Sequence, residues 1–294
     1  YRLLGTSPGP SPLTEWVSET LHDGYQQRFE VSKVLFSEKT EFQDMVIFEN
    51  PKFGRVLVLD GVIQTTEKDE FIYHEMMVHT PLLANGAAKR VLIIGGGDGG
   101  CLREALRHPG VEKVTMVEID PTVVDLSREY LPMHSDGAFD DPRTDLVIAD
   151  GLKYVAESDE KFDVIIVDST DPIGPGEVLF TDAFYRDCKA RLTDNGVMVT
   201  QNSVPFLQPD AFRPALNRLL AIFPCSTCFA ISVPTYIGGH MTLGFSTMNP
   251  ELVSVPVEDL RSRFAALQMK TRYYTPDLHL GAFALPRFIL DLLD

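Results

Sequence analysis

Four acidic residues close or follow four consecutive apolar runs: Asp98 in "VLIIGGGDGG", Glu118 in "KVTMVEID", Asp150 in "TDLVIAD" and Asp168 in "FDVIIVD". An Asp after a strand is commonly a helix cap. Four at successive strand ends define an acidic crevice, because open parallel sheets bind ligands beyond the carboxyl ends of their strands. The loop satisfies G-x-G-x-x-G through Gly95, Gly97 and Gly100, which fits a nucleotide without identifying it. Glu118 lies 21 residues past Gly97, the interval at which an acid meets ribose hydroxyls. Asp98 speaks against a pyrophosphate, which wants backbone N–H groups and no adjacent anion. A ligand carrying a cation at that point suits it better. Asp150 followed by Gly151 fits an adenine contact, a carboxylate accepting from the exocyclic amine and a glycine leaving room for the ring.

The run "VDSTDPIGPGEVLF" sets Asp168 and Asp171 three apart, ahead of a loop stiffened by Pro172 and Pro175. An Asp-Pro turn with a rigid linker is the structural alternative. Two close acids otherwise share a proton or hold a cation, and with Asp98 present a dicationic substrate is the simpler reading.

These residues need a scaffold of strands and helices. From Phe29 to Gln64, short alternating runs separated by "ENPKFG" and "LDG" predict antiparallel hairpins. A small β domain is expected over 14–72, after a Pro/Gly/Ser-rich leader over 1–13 read as flexible. "EFIYHEMMVHTPLLAN" carries Phe71, Ile72, Met76, Val78 and Leu82 at helical spacing. Strand, loop and helix then repeat: near-continuous apolar strands predict a parallel sheet covered on both faces. "TCFAISVP" and "MTLGFSTM" predict a closing antiparallel pair, and 73–294 is expected to form the second domain.

The 294 residues are 44% hydrophobic, ample for a large core. The net charge of −16 argues against nucleic acid, which needs Lys/Arg clusters. Acidity suits a cationic substrate or simply solubility. No apolar run reaches eighteen residues, so no membrane span is expected. No signal peptide is recognisable either, and a cytoplasmic location is expected. The four cysteines, Cys101, Cys188, Cys225 and Cys228, predict buried thiols rather than a disulfide framework. His74 and His79 sit five apart, off a common helix face, so no metal site is expected there. Trp16 reads as an anchor for the β domain, and "RYYTPDLHLGAFALP" with His279 as packing or a subunit contact.

Taken together, "YHEMM", "GGGDGG", "VEID", "ADG", "DSTDPIGP" and "PTYIGGHMTLGF" resemble the spermidine synthases, the polyamine aminopropyltransferases, from about Trp16 onward. The resemblance implies an α/β fold: a Rossmann-like, methyltransferase-type sheet behind a small N-terminal antiparallel β domain, in a homodimer or homotetramer. It implies aminopropyl transfer from decarboxylated S-adenosylmethionine, a co-substrate rather than a cofactor, to putrescine, giving spermidine and 5′-methylthioadenosine. Carried over, Asp168 matches the catalytic proton acceptor, assisted by Tyr73. Gln43, Glu118, Asp150, Gly151 and Pro175 match nucleoside contacts, with Gly95 and Gly97 in the loop beneath. Asp98 matches the acid on the donor's aminopropyl amine. Asp171, Tyr73 and Tyr236 match polyamine positions; Ser169 and Thr170 lie in the same run, and Gln201 is expected to line the groove. His74 is counted with Asp98 and Asp168 among the polyamine-binding positions, though it departs from the pattern, since many members carry Gln there. Other acceptors (cadaverine, agmatine, spermidine) stay open, as do a methyltransferase, a nicotinamide dehydrogenase and a non-catalytic nucleoside-binding relative. Against the methyltransferase stands Asp98, which would repel the carboxylate that S-adenosylmethionine carries at that position.

Overall fold

In the computed structural model, residues 15–170 and 174–293 are described; the expected leader over 1–13 lies outside them. The chain forms two compact units, one ending at Lys68 and one beginning at Asp69. The sequence reading drew this line four residues later, inside the first helix of the second unit.

The first unit pairs β1 (Glu15–His22) with β2 (Tyr25–Val31) as an antiparallel ribbon. Strands β3 (Lys33–Lys39), β4 (Asp44–Asn50), β5 (Gly54–Leu59) and β6 (Val62–Thr66) make a meander in sequence order. Phe29, Phe48, Val56, Val58 and Ile63 form its core. The Glu19 carboxylate accepts the Ile63 N–H at 2.7 Å and ties the ribbon to β6. Trp16 is 37% exposed beneath the Arg28 guanidinium, so it caps the ribbon's surface rather than anchoring a core.

The second unit opens with α1 (Glu70–Asn85), closed by Gly86 in the left-handed region. There follow β7 (Arg90–Gly95), α2 (Gly100–Leu106), β8 (Lys113–Glu118), α3 (Pro121–Tyr130) and α4 (Pro132–Ser135). Next come β9 (Thr144–Ile148), α5 (Gly151–Glu157), β10 (Phe162–Asp168), α6 (Asp182–Arg191), β11 (Leu192–Ser203) and α7 (Pro209–Ile222). The unit ends with β12 (Cys225–Ile231), β13 (Met241–Thr247), α8 (Val257–Leu267), α9 (Pro276–Ala282) and α10 (Arg287–Leu290).

Among the described residues the central sheet has seven strands, in the order β12-β13-β11-β10-β7-β8-β9. Strands β7 to β11 are parallel; β13 runs antiparallel between β11 and β12. Alternate side chains divide the core in two. Val91, Ile93, Val164, Ile166 and Val199 pack with Met76, Val78 and Leu102 of α1 and α2. Leu92, Ile94, Ile165, Val167 and Met198 pack with Phe184, Leu216 and Leu219 of α6 and α7. A strand buried on both faces has no polar side to alternate with, hence the continuous apolar runs.

Strand order reverses between β7 and β10, where Gly95 stands opposite Asp168. That reversal is where a doubly wound sheet opens a ligand crevice. Helix α1 covers it from one side and is buried almost all round, Glu70, His74, Glu75 and His79 included. Buried charges need partners, and α1 finds them in two directions. Glu75 turns away from the crevice and accepts the backbone N–H groups of Arg272, Tyr273 and Tyr274 at 2.7–2.8 Å, pinning the segment before α9. His279 on α9 is buried, within 2.9 Å of the Tyr274 hydroxyl, in keeping with packing.

Candidate active site

The crevice is built from the loop after β7 and the end of β10. Gly96 has φ +71, a conformation that L side chains resist, and its N–H donates to the Asp168 carbonyl at 3.0 Å. A Cβ on Gly95 would sit 2.2 Å from the same carbonyl oxygen. The glycines thus let two strand ends close on each other. Gly97 has a different reason: a Cβ there would meet Val123 at 2.7 Å and the Glu118 carboxylate at 3.0 Å.

Asp168 receives the Tyr73 hydroxyl on Oδ1 at 2.8 Å and a hydrogen bond from the Cys101 thiol. Burial raises its carboxyl above the ordinary value and the Asp98 charge adds to this; the His74 charge and the two hydrogen bonds offset only part. The same burial lifts the Tyr73 phenol and Cys101 thiol far above their usual ranges, so both are protonated donors. The Tyr236 ring stands edge-on to Tyr73, centroids 6.0 Å apart.

Asp98 behaves in the opposite way. Its Oδ1 accepts the Gly100 N–H at 2.7 Å and its Oδ2 faces His74 Nε2 at 3.4 Å. Burial works against the charged form, but His74 outweighs it and holds the carboxyl well below the usual range. His74 Nδ1 in turn lies 2.6 Å from Glu70 Oε2. Burial works against the protonated imidazole, but Asp98 and Glu70 together outweigh it and push it up to about 10. Arg103 donates to Glu70 at 2.8 Å and to the carbonyls of Met133 and His134.

On the nucleoside side, Glu118 ends β8 and accepts the Asp120 N–H at 3.0 Å. Burial pushes its carboxyl up to about 7 against the pull of backbone hydrogen bonds. Asp150 caps α5, accepting the Leu152 N–H at 2.9 Å, and Asp120 caps α3 through Thr122. A Cβ on Gly151 would lie 2.5 Å from Ile94, so this glycine answers to packing on β7.

Gln201 is buried on β11. The Ser169 hydroxyl is buried with no hydrogen-bond partner among the described residues, and Thr170 follows it at the end of β10. Pro175 lies in the 3₁₀ helix Gly174–Phe180. Asp171 lies outside the described residues. Gln43 belongs to the first unit, on the loop between β3 and β4, where its N–H donates to the Thr40 hydroxyl. Sequence reasoning missed Glu70, Arg103 and Cys101. The i, i+4 spacing of Glu70 and His74 was a visible signal for the first; nothing marked the other two.

His74, Cys101 and Asp168 bring one donor atom each within 4.8 Å of one another. Both nitrogens of the His74 ring face carboxylate oxygens, which only accept hydrogen bonds, so the ring is protonated and has no lone pair for an ion. The trio reads as a proton network. His79 turns the other way, to Glu104 at 2.9 Å and His108 at 2.9 Å. Cys101, Cys188, Cys225 and Cys228 are free. The last pair sits three apart on a strand, on opposite faces.

Comparison with known proteins gives the family. Residues 70–255 match the spermine/spermidine synthase domain and 15–67 the spermidine synthase tetramerisation domain. Polyamine aminopropyltransferase 1 of Pseudomonas aeruginosa is 56% identical over 275 residues, covering 94% of this chain and 96% of that protein. The polyamine aminopropyltransferase of a Ruegeria species is 55% identical, with 94% and 98% covered. A crystal structure of spermidine synthase with the transition-state analogue AdoDATO superposes with a TM-score of 0.91 at 37% identity, covering 99% and 98%. The Thermotoga maritima spermidine synthase gives 0.88 at 36%, covering 99% and 97%. The class is that of aminopropyl-transferring enzymes on a Rossmann-like sheet. The chain belongs to the spermine/spermidine synthase family.

Proposed function

We propose that the enzyme transfers the aminopropyl group of decarboxylated S-adenosylmethionine to putrescine, forming spermidine and 5′-methylthioadenosine. One observation carries this reading. A single half-buried corner holds a carboxylate with raised proton affinity, Asp168, and another kept ionised, Asp98. The first suits a proton acceptor and the second a fixed ammonium.

The nucleophile is a neutral amine. An alkylamine titrating near the lysine value of about 10.4 has roughly one molecule in a thousand as free base at pH 7. Asp168 takes a proton from the near amine. Its lone pair forms the N–C bond as the C–S bond breaks, and the sulfur leaves as a neutral thioether. Tyr73 orients Asp168 through the 2.8 Å hydrogen bond. Such proton transfer supplies about 10²–10⁴ in rate; alignment of two bound reactants supplies more. Carboxylate attraction to the sulfonium weakens as the reaction discharges it, so it serves binding rather than acceleration.

Glu118 takes the ribose, Asp150 and Gly151 the adenine, with Gly95, Gly97 and Pro175 beside the nucleoside. Asp98 and His74 form the subsite for the donor's amine. Ser169, Thr170, Gln201 and Tyr236 line the acceptor groove, and the role of Asp171 rests on the resemblance alone. The role of Gln43 rests on the resemblance alone. No resident cofactor or metal is needed. An oligomer accords with the matched tetramerisation domain, and a cytoplasmic setting with four free thiols.

The test is a mass-spectrometric turnover assay with the decarboxylated donor and a panel of diamines, beside S-adenosylmethionine. Methylthioadenosine and spermidine from the decarboxylated donor and putrescine alone is the expected result. A different productive amine changes the acceptor; methyl transfer from S-adenosylmethionine overturns the reading.

A further inference from the structure

A row of charges runs from the crevice into the protein behind it. Asp98 Oδ2 faces His74 Nε2 at 3.4 Å, His74 Nδ1 faces Glu70 Oε2 at 2.6 Å, and that oxygen accepts from Arg103 at 2.8 Å. Arg103 is itself fixed by Glu104 at 2.8 Å and by the carbonyls of Met133 and His134. The His74 side chain is 3% exposed, so water cannot substitute for these partners. Carboxylates on both sides of an imidazole require a hydrogen on each nitrogen. A cation therefore occupies the place beside Asp98 before any ligand arrives.

We propose that Glu70 and Arg103 are positioning residues that hold His74 as an imidazolium in the amine subsite, and that the donor's ammonium group displaces this charge, so that binding releases a proton. This rests on the assignment of Asp98 to the donor's amine. The balance is simple. The proton on Nε2 leaves to solvent, Nδ1 keeps its hydrogen toward Glu70, and the freed lone pair on Nε2 accepts an ammonium N–H. Two other ammonium hydrogens remain, one of them for Asp98 Oδ2. Oδ1 stays on the Gly100 N–H, so the carboxylate does not turn.

Every group around the ring bears on the exchange. Glu70 and Tyr73 come from α1, Asp98 from the loop, Cys101 from α2 with Arg103 behind Glu70, His134 from α4 and Asp168 from β10. Tyr73 and Cys101 stay protonated, and burial holds His134 below its ordinary value. The negative neighbours set the ring at about 10. A unit positive charge about 4 Å away lowers such a value by roughly one to three pH units. The imidazole then titrates between about pH 7 and 9.

Isothermal titration calorimetry at about pH 8.5, in two buffers of different ionisation enthalpy, counts the protons. The probes are decarboxylated S-adenosylmethionine and 5′-methylthioadenosine, which lacks the amine. Glu118, at about 7, is already ionised there. The donor is expected to release a few tenths to about one proton more than methylthioadenosine. His74→Gln removes this excess while leaving Glu70 paired with Arg103, and Glu70→Gln shrinks it because Asp98 alone holds less of the ring protonated beforehand. Equal proton counts for both ligands, in an enzyme whose Asp98→Asn variant still binds the donor more weakly, overturn the exchange and leave the amine assignment standing. Excess release that persists in His74→Gln also overturns it. Unchanged donor affinity in Asp98→Asn overturns the amine assignment, and the exchange with it.

Discussion

The two sides of the crevice treat buried carboxylates in opposite ways. At the amine corner, Asp98 is compensated by a cation supplied by the protein and stays ionised. At the end of β8, Glu118 has backbone donors but no cation, and burial carries it to about 7. Asp168 stands between these regimes, hydrogen-bonded by two neutral groups and raised. What decides is the partner's charge, since burial pushes all three in the same direction. A ready cation fixes the ionisation state in advance; neutral donors leave it to pH and ligand.

The difference is broken most severely at Asp168. Asp168→Asn is expected to lower kcat by about 10²–10⁴, while the dissociation constant for methylthioadenosine stays within about threefold; steady-state kinetics with equilibrium binding checks both. Glu118 gives the next effect. If its ionised form holds the ribose, nucleoside affinity is full above about 7 and falls roughly tenfold per pH unit below it. Glu118→Gln is expected to bind about tenfold more weakly or worse, with a flat pH profile, in fluorescence or calorimetric titrations. The sign for stability is reversed: the folded carboxyl is raised, so the ligand-free protein loses stability as pH climbs from about 4.5 to 7.

Tyr73→Phe sharpens the comparison further. Its hydroxyl lowers the proton affinity of Asp168, so its loss is expected to move the acid limb of kcat to higher pH, with a drop of roughly tenfold at neutral pH. The smallest effect on catalysis belongs to Glu75. Glu75→Gln weakens three backbone hydrogen bonds and is expected to cost about 1–3 kcal/mol of stability. Thermal melts would show it, with the pH limbs of kcat unmoved.

Much of this was visible in the chain, for physical reasons. Parallel strands buried on both faces leave continuous apolar runs, so Arg90–Gly95 and Phe162–Asp168 could be placed without coordinates. The β1–β2 ribbon could not, because only Glu19 and Phe29 in it are buried and alternation is faint. Strand order was hidden as well. The closing antiparallel pair was readable, but nothing in "MTLGFSTM" says that β13 slips between β11 and β12. Asp120 and Asp150 show why one signal carries two meanings, since both cap helices at the crevice rim. Gly151 was assigned room for an adenine ring, and its local reason is the Ile94 methyl. Arg103 was illegible because its work depends on α4 carbonyls some thirty residues away.

The burial of the thiols has a kinetic consequence. Cys225 is half-buried, whereas Cys101, Cys188 and Cys228 are sealed in α2, α6 and β12. A thiol reagent therefore meets one sulfur in the native protein, and the other three become reactive only when their element opens. Each then clocks a separate opening reaction. The rate at Cys101, beneath the crevice floor, is the one that bound nucleoside should slow, making the protein its own reporter of which layer breathes first.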